Sequence, residues 1–135
     1  MRKDQKVKSE SQNKENLHKS LRILLLDDDP SMSTLLKTLL TLEGFQVEAF
    51  EGMDIDVIEF IQSDRPDVLI TDIHLRTHNG IEITRSIRTH PDLNYLKIII
   101  TSGMDQATKS LAAGANFFLM KPYMPDELIK MLRKK

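Results

Sequence analysis

Five short apolar runs, each followed by a stretch of helical periodicity, constrain this chain more than any other feature. Residues 23–26 (ILLL) are aliphatic without alternation, the pattern of a strand buried on both faces. Pro30 suits the first turn of a helix, and Met32, Leu35, Leu36, Leu39, Leu40 and Leu42 recur at helical spacing until Gly44. The same two-part unit then repeats. Strands are expected over residues 45–50, 66–72, 96–103 and 116–120, and helices over 54–63, 80 to about 90, 105–113 and 125–134. Ile55, Ile58, Phe60 and Ile61 mark the second helix, and Ile81, Ile83 and Ile87 the third. A (βα)5 order predicts an α/β domain with a parallel sheet and helices on both faces.

Parallel strands set all their carboxyl ends along one edge, and open α/β sheets bind ligands there. The residues that fall at that edge are Asp27 and Asp28 after the first strand and Asp72 at the end of the third. Thr101 and Ser102 follow the fourth strand, and Lys121 the fifth. Converging carboxylates repel, and they are costly to bury unless a cation joins them. With oxygen donors, no cysteine and no dedicated histidine cluster, the cation that fits is Mg2+ or a similar divalent ion such as Mn2+. Mg2+ takes one or two carboxylates, keeps several waters and completes its shell with phosphate oxygens. A lysine and a hydroxyl facing the same place complement a phosphoryl group, and a carboxylate can itself become an acyl phosphate. The edge therefore suits phosphoryl transfer onto an aspartate. One aspartate of the run 27–29 can cap the helix that starts at Pro30, but a cap needs one carboxylate and not three.

The bulk numbers mainly exclude. A chain of 135 residues suggests one domain. The absence of cysteine rules out disulfides and thiolate chemistry and fits a reducing, cytoplasmic setting. No apolar run approaches the ~20 residues of a membrane span, and the N-terminus is polar rather than a signal peptide. Residues 1–20 hold six Lys or Arg against three acids, so this tail is +3 and the remainder −4. Lacking aromatics, the tail reads as a solvated, disordered lead-in. No glycine-rich loop of nucleotide-binding type occurs, so no nucleotide cofactor is expected. His74 and His78 stand four apart, but in an expected loop, and are read as solvated rather than as a helical metal pair.

The stretches "ILLLDDDPSMSTLLKTLL", "PDVLITDIHLRTHNGIEI", "KIIITSG" and "AGANFFLMKPY" resemble the receiver domain of two-component response regulators, over residues 21–135. The resemblance implies a flavodoxin-like sheet in the order 2-1-3-4-5. It implies Asp72 as the phosphoacceptor, with Gly80 eight residues on. It implies Asp27 and Asp28 as the acidic pair for Mg2+, Asp28 directly and Asp27 partly through water, with Asp72 itself as a further metal ligand. The backbone carbonyl of His74 would complete the shell, and Asp29 has no metal role. Thr101 takes the place of the switch hydroxyl, Lys121 that of the family's lysine and Phe118 that of the switch aromatic.

By the same resemblance, the phosphoryl donor would be a phosphohistidine on a sensor histidine kinase or a histidine phosphotransfer protein. Phosphorylation would shift a two-state equilibrium and reshape the face formed by the fourth helix, fifth strand and fifth helix. Such a chain is a switch, not a metabolic enzyme, and catalyses only its own phosphorylation and dephosphorylation through Asp72, Thr101 and Lys121. Ending with the fifth helix, it is expected to act alone, through protein contact or phosphate relay, on a downstream protein.

Three departures carry expectations. Arg76 stands where members commonly have proline, which predicts a less rigid loop after Asp72. The spacing from Thr101 to Lys121 is short, which predicts a short fourth helix. Ser102 replaces the more usual alanine and competes with Thr101 as the switch hydroxyl; the spacing to Lys121 favours Thr101. Two rival readings exist. Asp27-x-Asp29 resembles the start of a haloacid-dehalogenase-type phosphohydrolase, but the acids after Thr101 are only Asp105, Asp126 and Glu127, the last two at a helix start. A receiver-like interaction module that is never phosphorylated would not need every site position filled.

Overall fold

The computed structural model describes residues 20–50 and 56–134. Residues 1–19 of the expected basic tail lie outside them, as do residues 54 and 55 at the expected start of the second helix and Lys135. The elements follow in the order β1 (Arg22–Leu26), α1 (Pro30–Leu42), β2 (Gln46–Phe50), α2 (Val57–Asp64), β3 (Val68–Asp72), α3 (Gly80–Ile87), β4 (Lys97–Ser102), α4 (Ala107–Ala113), β5 (Phe117–Met120) and α5 (Pro125–Arg133). The five strands form one sheet in the order β2-β1-β3-β4-β5, and every pairing is parallel. This is the flavodoxin-like order.

The uninterrupted aliphatic runs occupy the middle of the sheet, because only central strands are covered on both faces. β1, β3 and β4 are buried along almost their whole length, whereas β2 at one edge is half-buried or exposed throughout. Successive side chains point to opposite faces and so divide the core in two. Leu24, Leu26, Leu69, Ile98 and Ile100 pack with Val57, Ile61, Ile83 and Ile87 on the side of α2 and α3. Ile23, Leu25, Val68, Ile70 and Ile99 pack with Leu36, Leu40, Leu128 and Leu132 on the side of α1 and α5.

The third helix is shorter than its periodicity suggests. α3 ends at Ile87, not near His90. Pro91 has no N–H and pushes the residue before it toward extended backbone; His90 is extended, and Pro91–Leu93 forms a separate 3-10 turn. Arg88 then ties this end of α3 to its neighbours. Its guanidinium donates to the carbonyls of Gly114 at 2.9 Å and Leu96 at 2.8 Å, and to Asn116 Oδ1 at 3.1 Å. Asn116 Oδ1 also accepts from the Ile98 N–H at 2.7 Å, which fixes the start of β5 against β4. α4 is short as expected, seven residues, and stops at Gly114 with φ of 114°. Only glycine takes that backbone conformation at little cost, and a Cβ there would also strike the Arg88 side chain.

Candidate functional site

The three consecutive aspartates do three different things. Asp27 leaves the buried end of β1 and is itself only 3 % exposed. Its Oδ1 accepts from the Asp29 N–H at 2.8 Å, which turns the chain toward α1. Asp29 is the cap of that helix: its Oδ1 accepts from the N–H groups of Ser31 at 3.0 Å and Met32 at 3.3 Å. Asp28, between them, is half-buried, and its Oδ1 is buried with no hydrogen-bond partner. A buried carboxylate oxygen left without a donor is costly, and a cation resolves it.

Asp72 ends β3 directly opposite Thr101 of β4. That register delivers the threonine hydroxyl, which donates to Asp72 Oδ1 at 2.6 Å. From the end of β5, Lys121 Nζ donates to Asp72 Oδ2 at 2.9 Å and lies 2.8 Å from Oδ1. The same ammonium stands 3.8 Å from Asp27 Oδ2, between the two carboxylates. The Lys121 N–H donates to the Ser102 carbonyl at 2.8 Å, so β4 and β5 hold the lysine and the threonine in fixed relation. The carboxyl of Asp27 is held above the usual carboxylate range, mainly by burial and further by the charge of Asp72; the Asp29 N–H and Lys121 pull the other way.

The loop after Asp72 is held by backbone hydrogen bonds. His74 bridges Asn79 in a short hairpin. The Leu75 N–H donates to the His78 carbonyl at 3.1 Å, and the Gly80 N–H to the Ile73 carbonyl at 2.7 Å. The hairpin leaves the His74 carbonyl without a partner among the described residues. His74 is exposed as expected, but His78 is not solvated: it is half-buried, and its Nε2 is enclosed without a partner. It lines a groove of about 800 Å³ between α2, α3 and the hairpin, beside the acid pocket rather than in it.

The geometry thus gathers Asp27, Asp72, Thr101 and Lys121 into one contact network, with Asp28 on the adjoining turn. Ser102 is turned elsewhere; its hydroxyl accepts from the Met104 N–H at 3.1 Å. Phe118 does not touch this network. It is half-buried and packs against the α2–α3 side of the core. Among the described residues, no three His, Cys, Asp or Glu side chains are placed to cage a metal by themselves. Mg2+ needs no such cage. The orphaned oxygen of Asp28, the underprovided carboxylate of Asp27 and the unpartnered His74 carbonyl form a donor set that fits it.

Sequence reasoning missed Tyr123. Its ring packs on the α1–α5 side of the core, and its hydroxyl is buried without a partner. The hydroxyl is pushed up to about 12, first by burial and then by the charges of Asp72 and Asp27. The signal available was its place two residues after Lys121, within the stretch KPY.

A five-stranded parallel sheet of this order, with an acid pair, a central aspartate, a hydroxyl and a lysine converging at its carboxyl edge, defines a class of phosphoryl-responsive α/β proteins. The family model for the response regulator receiver domain matches residues 23–133, and the chain belongs to that family. It is 35 % identical over 116 residues to the response regulator MprA of Mycobacterium ulcerans, and 34 % identical over 115 residues to that of Mycobacterium avium. Each match takes in 84 % of this chain but 49 % and 50 % of those proteins, so the chain spans about half the length of these curated relatives. Among solved structures, it is similar to the receiver domain of Francisella response regulator 1452 (TM-score 0.75, 26 % identity, 84 % of this chain and 93 % of that one). It is also similar to the BeF3-activated N-terminal receiver domain of Klebsiella pneumoniae RstA (TM-score 0.73, 25 % identity, 84 % and 99 %). Receiver domains belong to phosphorelay signalling and are typically phosphoacceptor switches rather than true enzymes. No helix among the described residues is long and apolar enough to cross a membrane.

Proposed function

We propose that this chain accepts a phosphoryl group on Asp72 from a phosphohistidine of a histidine kinase or histidine phosphotransfer protein, and that the acyl phosphate switches a protein-binding face. The observation that carries the reading is the Asp72 carboxylate. Both its oxygens are met by cationic or hydroxyl donors, from Lys121 and Thr101, which would also suit the oxygens of an attached phosphoryl group. An Asp72 oxygen attacks phosphorus, the P–N bond breaks, and the histidine leaves with the electron pair and takes up a proton. Lys121 and Thr101 pass from the carboxylate to the phosphoryl oxygens, so the hydroxyl moves inward. Asp28, Asp27, Asp72 and the His74 carbonyl would hold Mg2+, which would supply charge neutralisation for the carboxylates and phosphoryl oxygens.

Movement of Thr101 would reach Phe118 through β4 and β5, since Ile100 and Phe118 are register partners. The α4–β5–α5 face is the proposed output surface, read by a downstream protein. A cysteine-free chain of this kind suits the cytoplasm, where phosphohistidine donors act. The test is intact-mass spectrometry after acetyl phosphate and Mg2+ treatment. Wild type should gain a phosphoryl adduct and Asp72→Ala should not; an adduct retained by the variant refutes the assignment, and no adduct on either favours an unphosphorylated interaction module.

A further inference from the structure

Where β4 and β5 end, the chain displays methionines. Met104 is 58 % exposed, Met120 49 % and Met124 66 %. Contacts around the last residues of the two strands fix their placement. Ser102 of β4 and Met120 of β5 are register partners, and Ser102 Oγ accepts from the Met104 N–H, so Met104 and Met120 leave adjoining backbone. Lys121, which serves Asp72, follows Met120 directly. Met124 then caps the start of α5, its N–H donating to Glu127 Oε1 at 3.0 Å. These bonds tie down the backbone and leave the thioethers in solvent. The other methionines among the described residues, Met32 and Met131, are partly buried against the α1–α5 side of the core. Displaying large apolar side chains costs hydrophobic free energy, which a use for them would offset. The chain has no cysteine, so thioethers are its only sulfur.

We propose that Met104, Met120 and Met124 form a methionine-oxidation site, at which a peroxide converts the thioethers to sulfoxides and makes this corner of the α4–β5–α5 face polar. An electron pair of the thioether sulfur attacks one peroxide oxygen, and the O–O bond breaks. The hydroxide that leaves takes the proton of the new S–OH group, so sulfoxide and water are the products; sulfur is oxidised and the peroxide reduced. The change turns a flexible apolar side chain into a polar, chiral one and is reversed by methionine sulfoxide reductases. Only the value of the face as an output surface rests on the reading above. On that reading, oxidant and phosphoryl group act on one surface, and the oxidant leaves Asp72, Thr101 and Lys121 chemically untouched.

The test treats the full chain with hydrogen peroxide, stops the reaction with catalase and maps the added oxygen by peptide mass spectrometry. Met104, Met120 and Met124 should oxidise about tenfold faster than Met32 and Met131, whose thioethers are shielded by packing. The oxidised protein should elute earlier from a phenyl matrix, and methionine sulfoxide reductases should restore its retention. A protein carrying Met104→Leu, Met120→Leu and Met124→Leu keeps the apolar volume without the sulfur, and its retention should be indifferent to peroxide. That control also removes any contribution from Met1 and Met53, which lie outside the described residues. Equal oxidation rates at all five mapped positions, or a retention shift as large in the leucine protein, overturns the proposal. So does loss of acetyl phosphate labelling on oxidation of a chain that labels when untreated. A chain that does not label even untreated defeats the phosphoacceptor reading instead, and the oxidation map stands. Should the leucine protein not fold, reversal by the reductases on wild type decides: retention that does not return overturns the proposal.

Discussion

The carbonyl oxygen of Asp72 occupies the space that a side chain on Gly80 would need, so that a Cβ built there collides with it and crowds Ile73 as well. The glycine at this spacing is therefore demanded by the close approach of the first turn of α3 to the end of β3. Gly80→Ala should destabilise the protein by about 1–3 kcal/mol, the usual cost of overpacking. Urea denaturation measures it. Because the obstacle is backbone, the displaced partner is Asp72 itself, and acetyl phosphate labelling should slow along with the loss of stability.

Divalent cations should stabilise the folded chain. A ligand that binds only the native state adds about 2.7 kcal/mol at a hundred times its dissociation constant, and EDTA should remove the gain. Asp28 and Asp29 separate two roles in the same run. Asp28→Ala should abolish the Mg2+-dependent rise in thermal midpoint. Asp29→Ala should keep that rise but cost about 1 kcal/mol through loss of the α1 cap. Thermal scans of both variants with and without Mg2+ check this, and an undiminished Mg2+ response in Asp28→Ala counts against the donor set.

Asp27 gives a pH dependence whose sign is set by burial. Its folded carboxyl titrates above the ordinary 3.8, so the native state takes up the proton at higher pH than the unfolded chain does. Ionised Asp27 thus weakens the metal-free fold at neutral pH. The penalty is relieved as pH falls through the raised value and is gone below the unfolded one. In EDTA, Asp27→Asn should be more stable than wild type at neutral pH, and the difference should shrink toward pH 4. Melting curves across that window decide it. A variant less stable than wild type at neutral pH contradicts the argument.

Arg88 is a structural staple rather than a site residue. Its guanidinium serves the backbone carbonyls of Leu93, Leu96 and Gly114 and the Asn116 side chain at once. Arg88→Ala should cost about 2–4 kcal/mol, because hydrogen bonds from charged groups are worth more than neutral ones and the carbonyls are left without donors. Arg88→Lys should recover only part of this, since an ammonium lacks the planar fork. Denaturant midpoints of the three proteins measure the series, and Asp72 labelling should survive in every folded variant.

Much of the fold could be read directly from the chain. The unbroken aliphatic runs of β1, β3 and β4 could belong only to strands covered on both faces, and their alternation with helical repeats left a parallel sheet as the consistent answer. That topology brought Asp27, Asp72, Thr101 and Lys121 to one edge, although they are far apart in sequence. Local chemistry also placed the caps: Pro30, and an aspartate before it.

The third dimension decided the rest, for one physical reason: the outcome depended on partners that share no local sequence pattern. Which of three adjacent aspartates caps, which pairs with lysine and which keeps a bare oxygen follows from the turn that the Asp29 N–H makes onto Asp27. The loop at Arg76 is held by backbone bonds that no side chain announces, and His78 is enclosed where that loop meets α2 and α3. Tyr123 is an ordinary core aromatic by periodicity; only packing encloses its hydroxyl without a partner. Period and composition are properties of neighbours along the chain, and they determined the sheet. The pairing of buried polar atoms depends on neighbours in space, and tertiary structure determined that.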